Sequence, residues 1–149
     1  MSFLNSLNIV GSGMTAQQQR LDVISENITN ASTTRTEAGG AYRRKVVVME
    51  SQGNFRSALE RAQRDSLGTY QVSGGGVAVT GIQEDPSELK LVYDPTHPDA
   101  NEAGYVEMPN VDMVKEMTDA MAASQAFSAN VTVFNTLKSV IAKGLEIGR

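Results

Sequence analysis

The sequence predicts a mainly α-helical protein with a small β-rich insert. Long N- and C-terminal helices pair as a coiled coil, and a β module lies between them. Two heptad stripes and one change of texture carry this expectation. Near the N-terminus Phe3, Leu7, Val10, Met14, Gln17, Leu21, Ile24 and Ile28 alternate steps of four and three, and seven of the eight are apolar. Near the C-terminus Met113, Met117, Ala120, Ser124, Phe127, Val131, Phe134, Lys138, Ile141 and Leu145 do the same, eight of ten being apolar. Such spacing keeps one side of a helix turned toward a partner helix. Between the stripes the pattern changes to short β-branched runs broken by Gly and Pro, which is how strands and turns read.

Residues 3–28 form the first helix, about 39 Å long at roughly 1.5 Å per residue. Ser2 is a candidate N-cap. Gly11 and Gly13 interrupt it, each at a cost of about 1 kcal/mol relative to Ala, so packing must supply the order. They leave room for a close helix approach or a bend. Residues 29–41, TNASTTRTEAGGA, are a loop by composition. Residues 42–50, YRRKVVVME, are the best strand. Residues 51–63 have no decided pattern. Gly74, Gly75 and Gly76 break the chain before two further strands, 77–83 (VAVTGIQ) and 89–93 (LKLVY). DPTHPDAN at 94–101 is a proline-fixed turn. The last helix starts after Pro109, with Asn110 as N-cap and Asp112 in the first turn, where negative charge suits the helix dipole. It runs to about Lys143, and Gly144 is a natural left-handed terminator. The segments are therefore 1–30, N-terminal helix; 31–108, β-rich middle; and 109–149, C-terminal helix.

Charge narrows the function. The 149 residues hold 13 basic and 17 acidic side chains, for a net charge of −4. That balance argues against nucleic acid as a partner, which wants a basic face. The acidity is central, since residues 51–110 carry nine acidic and four basic groups. Residues 120–137 carry no charge at all, although a solvated helix usually has a charged face. Ser124, Gln125, Ser128, Asn130, Thr132, Asn135 and Thr136 interrupt the run, so it reads as a helix surrounded by protein and not as a membrane span. A self-contained helical hairpin would bury only one face. The uncharged girth asks for contacts on more than one side, hence an assembly of subunits. There is no cysteine, so neither a disulfide framework nor a thiolate metal site is available. The first positive charge is Arg20, so no cleavable signal peptide is expected, and any export must use another route.

Chemistry is nearly absent, and neither a cofactor nor a metal is expected. His97 is the sole histidine and sits in a turn. Gly11-Ser12-Gly13 and Gly74–Gly76 lack the Lys-Ser/Thr of a phosphate loop. Glu84, Asp85 and Glu88 could supply an acid pair for a cell-wall hydrolase, but nothing in the sequence orients them. Arg43, Arg44 and Lys45, with Arg35 nearby, form the one basic cluster. It is either the solvated start of a strand or a secondary docking contact for acidic surfaces.

Four segments carry a resemblance: LDVISENITNASTT at 21–34, GGAYRRKVVV at 39–48, YDPTHPDANEAGYVEMPNVDMVKEM at 93–117 and SQAFSAN at 124–130. By these the chain resembles the flagellar basal-body rod family, closest to its proximal-rod type. Asn27 and Asn30 match the asparagines of the first signature. Gln125 and Phe127 stand where the family commonly has a basic residue and a tyrosine, which drops a charge and a hydroxyl without disturbing the stripe. The resemblance implies a non-enzymatic structural subunit whose terminal helices form an inner tube with the β module outside. It also implies export through the flagellar export apparatus without a cleaved signal, and assembly in the periplasm. The implied partners are copies of itself and other flagellar rod proteins, in a helical hetero-assembly that transmits motor torque to the hook. Interface residues would be Phe3, Leu7, Val10, Met14, Leu21, Ile24 and Ile28 on the first helix. On the last they would be Met113, Met117, Met121, Phe127, Val131, Phe134 and Ile141. A soluble coiled-coil adaptor is the other non-enzymatic reading.

Overall fold

The computed structural model describes residues 3–37, 39–52 and 75–147, with side chains for residues 5–146 of those ranges. In chain order the described elements are α1 (Phe3–Thr29), β1 (Lys45–Ser51), β2 (Val77–Glu84), β3 (Lys90–Tyr93), β4 (Tyr105–Met108) and α2 (Met113–Ile147). β1 pairs with β2, and β3 pairs with β4. The candidate cap Ser2, the side chain of Phe3, the undecided residues 53–63 and Gly74 lie outside the described residues.

The chain divides into two compact units, residues 1–18, 49–80 and 124–149 in one, and 19–48 and 81–123 in the other. Each unit draws on all three sequence segments, because both long helices contribute to both.

In the second unit the two helices run antiparallel. Arg20 meets Asp119, and Asn27, two turns further along α1, meets Glu116, earlier on α2. Val23, Ile24, Tyr42, Val106, Val111 and Ala123 are its buried apolar residues. β3 and β4 pair antiparallel with Leu91 opposite Glu107 and Tyr93 opposite Tyr105. The two tyrosine rings meet edge to face with centroids 5.3 Å apart. The connection turns on Gly104, whose φ of 80° is open to glycine at little cost. Asn101 ties that turn by accepting from the amides of Ala103 and Tyr105. His97 lies in the same connection, its Nδ1 accepting from the Asp99 amide.

In the first unit the described residues bury little apolar surface. Among its described residues only Ala16 is a buried apolar side chain. Gly13 allows the close helix approach expected of it, since a Cβ there would lie 3.2 Å from Asn130 Nδ2. Gly11 faces open space. Gly76 has φ of 105°, and its backbone packs so tightly on Ser12 that any side chain would collide with the hydroxyl. Ser12 Oγ accepts from the Val77 amide and donates to the Ile9 carbonyl, fastening β2 to α1.

The elements differ most from expectation in four places. β1 begins at Lys45 and not at Tyr42, because the Tyr42 and Arg44 amides donate to Thr33 O and Asn110 Oδ1 instead of to a strand. β4 was not anticipated. Four residues ending at a proline are too short to show alternation, and its partner strand lies eleven residues upstream. α2 is capped by Asp112, not Asn110: Asp112 Oδ1 accepts from the Val114 and Lys115 amides at 3.0 and 3.4 Å. It also continues through Gly144 to Ile147, and Gly144 is not among the glycines with positive φ.

Candidate functional site

Two features of the second unit bear on function, a polar cluster inside it and an apolar helix face outside it. The cluster is built on Asn27, which is 1% exposed. Its Oδ1 accepts from the Tyr42 hydroxyl and the Lys45 amide, both at 2.9 Å. Its Nδ2 donates to the Lys45 carbonyl at 2.9 Å and to Glu116 Oε2 at 3.1 Å. All four hydrogen-bonding positions of the amide are thus filled, as burial requires. Glu116 is fully buried in the first turn of α2, where the helix dipole favours a carboxylate. Its Oε1 accepts from Arg44 Nε at 2.6 Å. The Arg44 guanidinium reaches Asp85 at 3.4 Å and Asp119 at 3.8 Å as well, and Arg20 bonds Asp119 at 3.3 Å.

The electrostatics follow from this geometry. Burial by itself would lower the Arg44 pKa. The hydrogen bond and charge of Glu116, with Asp85 behind them, outweigh burial and raise it. Burial pushes the Tyr42 phenol up to about 12, with the negative charges of Glu26, Glu116 and Glu84 adding to the effect. Asp85 is held below the usual carboxylate range, first by the Ser87 amide and hydroxyl and then by Arg44. Asn110, expected to cap a helix, instead staples loops. Its Oδ1 accepts from the Arg44 amide at 2.8 Å, and its Nδ2 donates to the Asp85 carbonyl and to Ser87.

The basic triplet is divided by this cluster. Arg44 is turned inward onto this chain's own carboxylates. Lys45 pairs with Glu26 and lies 5.6 Å from the Tyr42 ring centroid. Arg43 remains exposed, donating to the Ser87 carbonyl at 3.3 Å. Neither Arg44 nor Lys45 is therefore a free docking cation, because acidic groups brought close by the fold already hold them.

The helix faces also differ from the heptad reading. Ile24 is 5% exposed, and its face of α1 meets α2 within the chain. Leu7, Val10, Met14, Leu21 and Ile28 are half-buried, as are Phe127, Val131 and Ile141. In the second unit α2 turns Glu116, Asp119 and Ala123 inward, while Met113, Val114, Met117 and Met121 stand 42–75% exposed. In the first unit Val133, Phe134, Val140 and Leu145 are exposed. Most of the uncharged stretch 120–137 thus faces out of the single chain.

Sequence reasoning missed Glu116 and Tyr42 as cluster residues. A signal was present: Asp112, Glu116 and Asp119 fall on one side of α2, just before its uncharged stretch, and suit the basic triplet and Arg20. An open cleft of about 540 Å³ in the first unit is lined by Leu7, Ser12, Gln52, Phe134 and others, none of the described lining residues being titratable. Among the described residues no three His, Cys, Asp or Glu side chains gather as metal ligands, and no helix is long and apolar enough to cross a membrane.

Comparison with known proteins gives consistent matches. A family model described as "Flagella basal body rod protein" matches residues 7–35, and "Flagellar basal body rod FlgEFG protein C-terminal" matches residues 102–147. The chain is 44% identical to "Flagellar basal-body rod protein FlgC" of Bacillus subtilis (strain 168) over 153 residues, covering all of both chains. It is 44% identical to the protein of that name in Borreliella burgdorferi over 151 residues, 99% of this chain and 98% of the relative. The protein of that name in Escherichia coli O6:H1 is 40% identical over 149 residues, again covering both in full.

Proposed function

The chain belongs to the FlgC family of flagellar basal-body rod proteins, and from that premise we propose how it serves as a structural subunit of the rod. Its exposed apolar helix faces dock against neighbouring rod proteins and other copies of itself. One observation carries this reading: residues 120–137 hold no charge, yet most of them face outward in the single chain. An uncharged helix side of that extent, with Met121, Val133 and Phe134 exposed on it, marks a surface that a partner covers. Contacts of one face with a different face of the next subunit, repeated without closing, build an open helical array. Ordering on docking offsets part of the apolar gain.

In this reading Met113, Met117 and Met121 of the second unit and Phe134 of the first are contact residues. Leu7, Val10, Met14, Leu21, Ile28, Phe127, Val131 and Ile141 are half-available to neighbours, whereas Ile24 serves the intrachain pair. Arg43 is the remaining candidate for a secondary contact. The subunit takes its place in the proximal part of the periplasmic rod. It reaches that place through the flagellar export apparatus without a cleaved signal, and there it carries torque without catalysing a reaction.

The test uses Met117→Asp and Met121→Asp. Both side chains are more than half exposed, so the fold tolerates the change to within about 0.5 kcal/mol. A charge at a docked position blocks assembly. Strains carrying either variant should hold normal levels of the protein yet fail to spread in soft agar, and electron microscopy should find them without hooks. Normal swimming in both strains would rule out this face as an interface.

A further inference from the structure

We infer that the Arg44–Glu116–Asn27 cluster selects which face of α2 packs against α1, and so turns the methionine face outward. Two faces compete for the inward position in the second unit. One holds Met113, Val114, Met117 and Met121. The other holds Glu116, Asp119, Ala120 and Ala123. Their centres lie about 125° apart on a helix of 3.6 residues per turn. By apolar area the first face should win, since methionine and valine bury more surface than alanine. The heptad stripe, which takes in Met113, Met117 and Ala120, lies nearer the first face than the second. In the folded chain the second face is inside: Glu116 and Ala123 are fully buried, and Met117 and Met121 are 52% and 61% exposed.

What reverses the choice is the set of partners waiting on the other side. Arg44 Nε lies 2.6 Å from Glu116 Oε1, Asn27 Nδ2 lies 3.1 Å from Oε2, and Arg20 lies 3.3 Å from Asp119. Rotating α2 to bury the methionines would leave Asn27 and Arg44 without their carboxylate. Unpaired polar groups in the interior are disfavoured strongly enough to outweigh apolar area. A polar group that fixes helix register at the expense of apolar burial is a known device in coiled coils. Alanine at 120 and 123 supports it by letting the helices approach closely. Arg44, Glu116 and Asn27 are thus positioning residues for the exposed face. The inference concerns the isolated chain and does not depend on what the methionine face contacts.

The chain has no cysteine, so single-cysteine probes report one site each. Met117→Cys and Ala123→Cys are made separately in the full-length chain and in the Arg44→Met/Glu116→Met background, and maleimide labelling rates are measured. In the parent, position 117 should react faster than position 123 by roughly tenfold or more, the protection expected of a packed site. In the apolar background the rate at 117 should fall and the rate at 123 should rise. General loosening would raise both rates together, so only rotation moves them in opposite directions. An unchanged ratio in a helical double variant would overturn the inference, as would equal rates in the parent. If the double variant loses its helical signal, Glu116→Gln replaces it. Glutamine keeps the shape and a hydrogen-bond acceptor for Asn27 but loses the charge that holds Arg44. The same opposite shifts, smaller in size, are then expected, and an unchanged ratio again overturns the inference.

Discussion

Arg44→Met isolates the energetic weight of the buried pair. Methionine roughly matches the aliphatic part of arginine but removes the cation. It leaves Glu116, whose side chain is 0% exposed, with Asn27 as its remaining described side-chain partner. Removing one member of a buried ion pair costs about 3–5 kcal/mol. The Arg44 side chain is itself 16% exposed, so the lower end, about 3 kcal/mol, is expected. For a chain of this length that lowers Tm by about 6–12 °C. Glu116→Met is milder, at about 2 kcal/mol, because Arg44 keeps Asp85 and Asp119 and only the Asn27 amide loses a partner. Combining the two replaces the pair by apolar groups. The double variant should then be no less stable than Arg44→Met alone, a coupling of about 2 kcal/mol. Urea unfolding of the four proteins, followed by far-UV circular dichroism, measures the cycle. If the two costs add, so that the double variant loses about 5 kcal/mol, the residues do not act as a pair and the reasoning fails.

Other expectations follow from single contacts. The Tyr42 phenol sits near 12 in the folded chain against an ordinary 10.0, so folding favours its neutral form. Its contribution is fully present below pH 10 and is lost as pH rises toward 12, on the order of 2 kcal/mol in all. Tyrosinate absorbance should show a late-titrating component that Tyr42→Phe removes; its persistence would place the late group elsewhere. Asp112→Ala should cost about 1 kcal/mol as a lost cap, read by thermal melting. Asn110→Ala should cost about 1–3 kcal/mol, because it leaves the Arg44 amide and the Asp85 and Ser87 groups without their tie. If Asp112→Ala left stability unchanged, the cap would have been assigned wrongly. Gly76→Ala forces a Cβ onto Ser12 at a φ of 105°, and a loss of more than about 1 kcal/mol in urea unfolding is expected. Stability equal to that of the parent would mean that β2 is not fastened to α1 there.

The sequence by itself determined the two long helices, the position of the β-rich insert and the absence of a charged face on residues 120–137. These are local properties: periodicity, turn residues and charge density need no knowledge of what lies opposite. The same signatures carried the family and, with it, a structural place in the rod. Only the tertiary structure decided where the polar groups go. Asn110 looked like a cap because asparagine before a helix usually is one, yet the Arg44 amide and the carbonyls of Asp85 and Ser87 competed for it, and Asp112 took the cap. Arg44 and Lys45 looked like docking cations because their acidic partners, Glu116, Asp119, Asp85 and Glu26, are distant in sequence or hidden in a helix pattern. The methionine stripe looked inward because periodicity counts apolar residues and does not weigh a buried carboxylate against them. Which side of α2 faces its own chain rests on desolvation and pairing between residues up to 99 positions apart, and no local pattern encodes that.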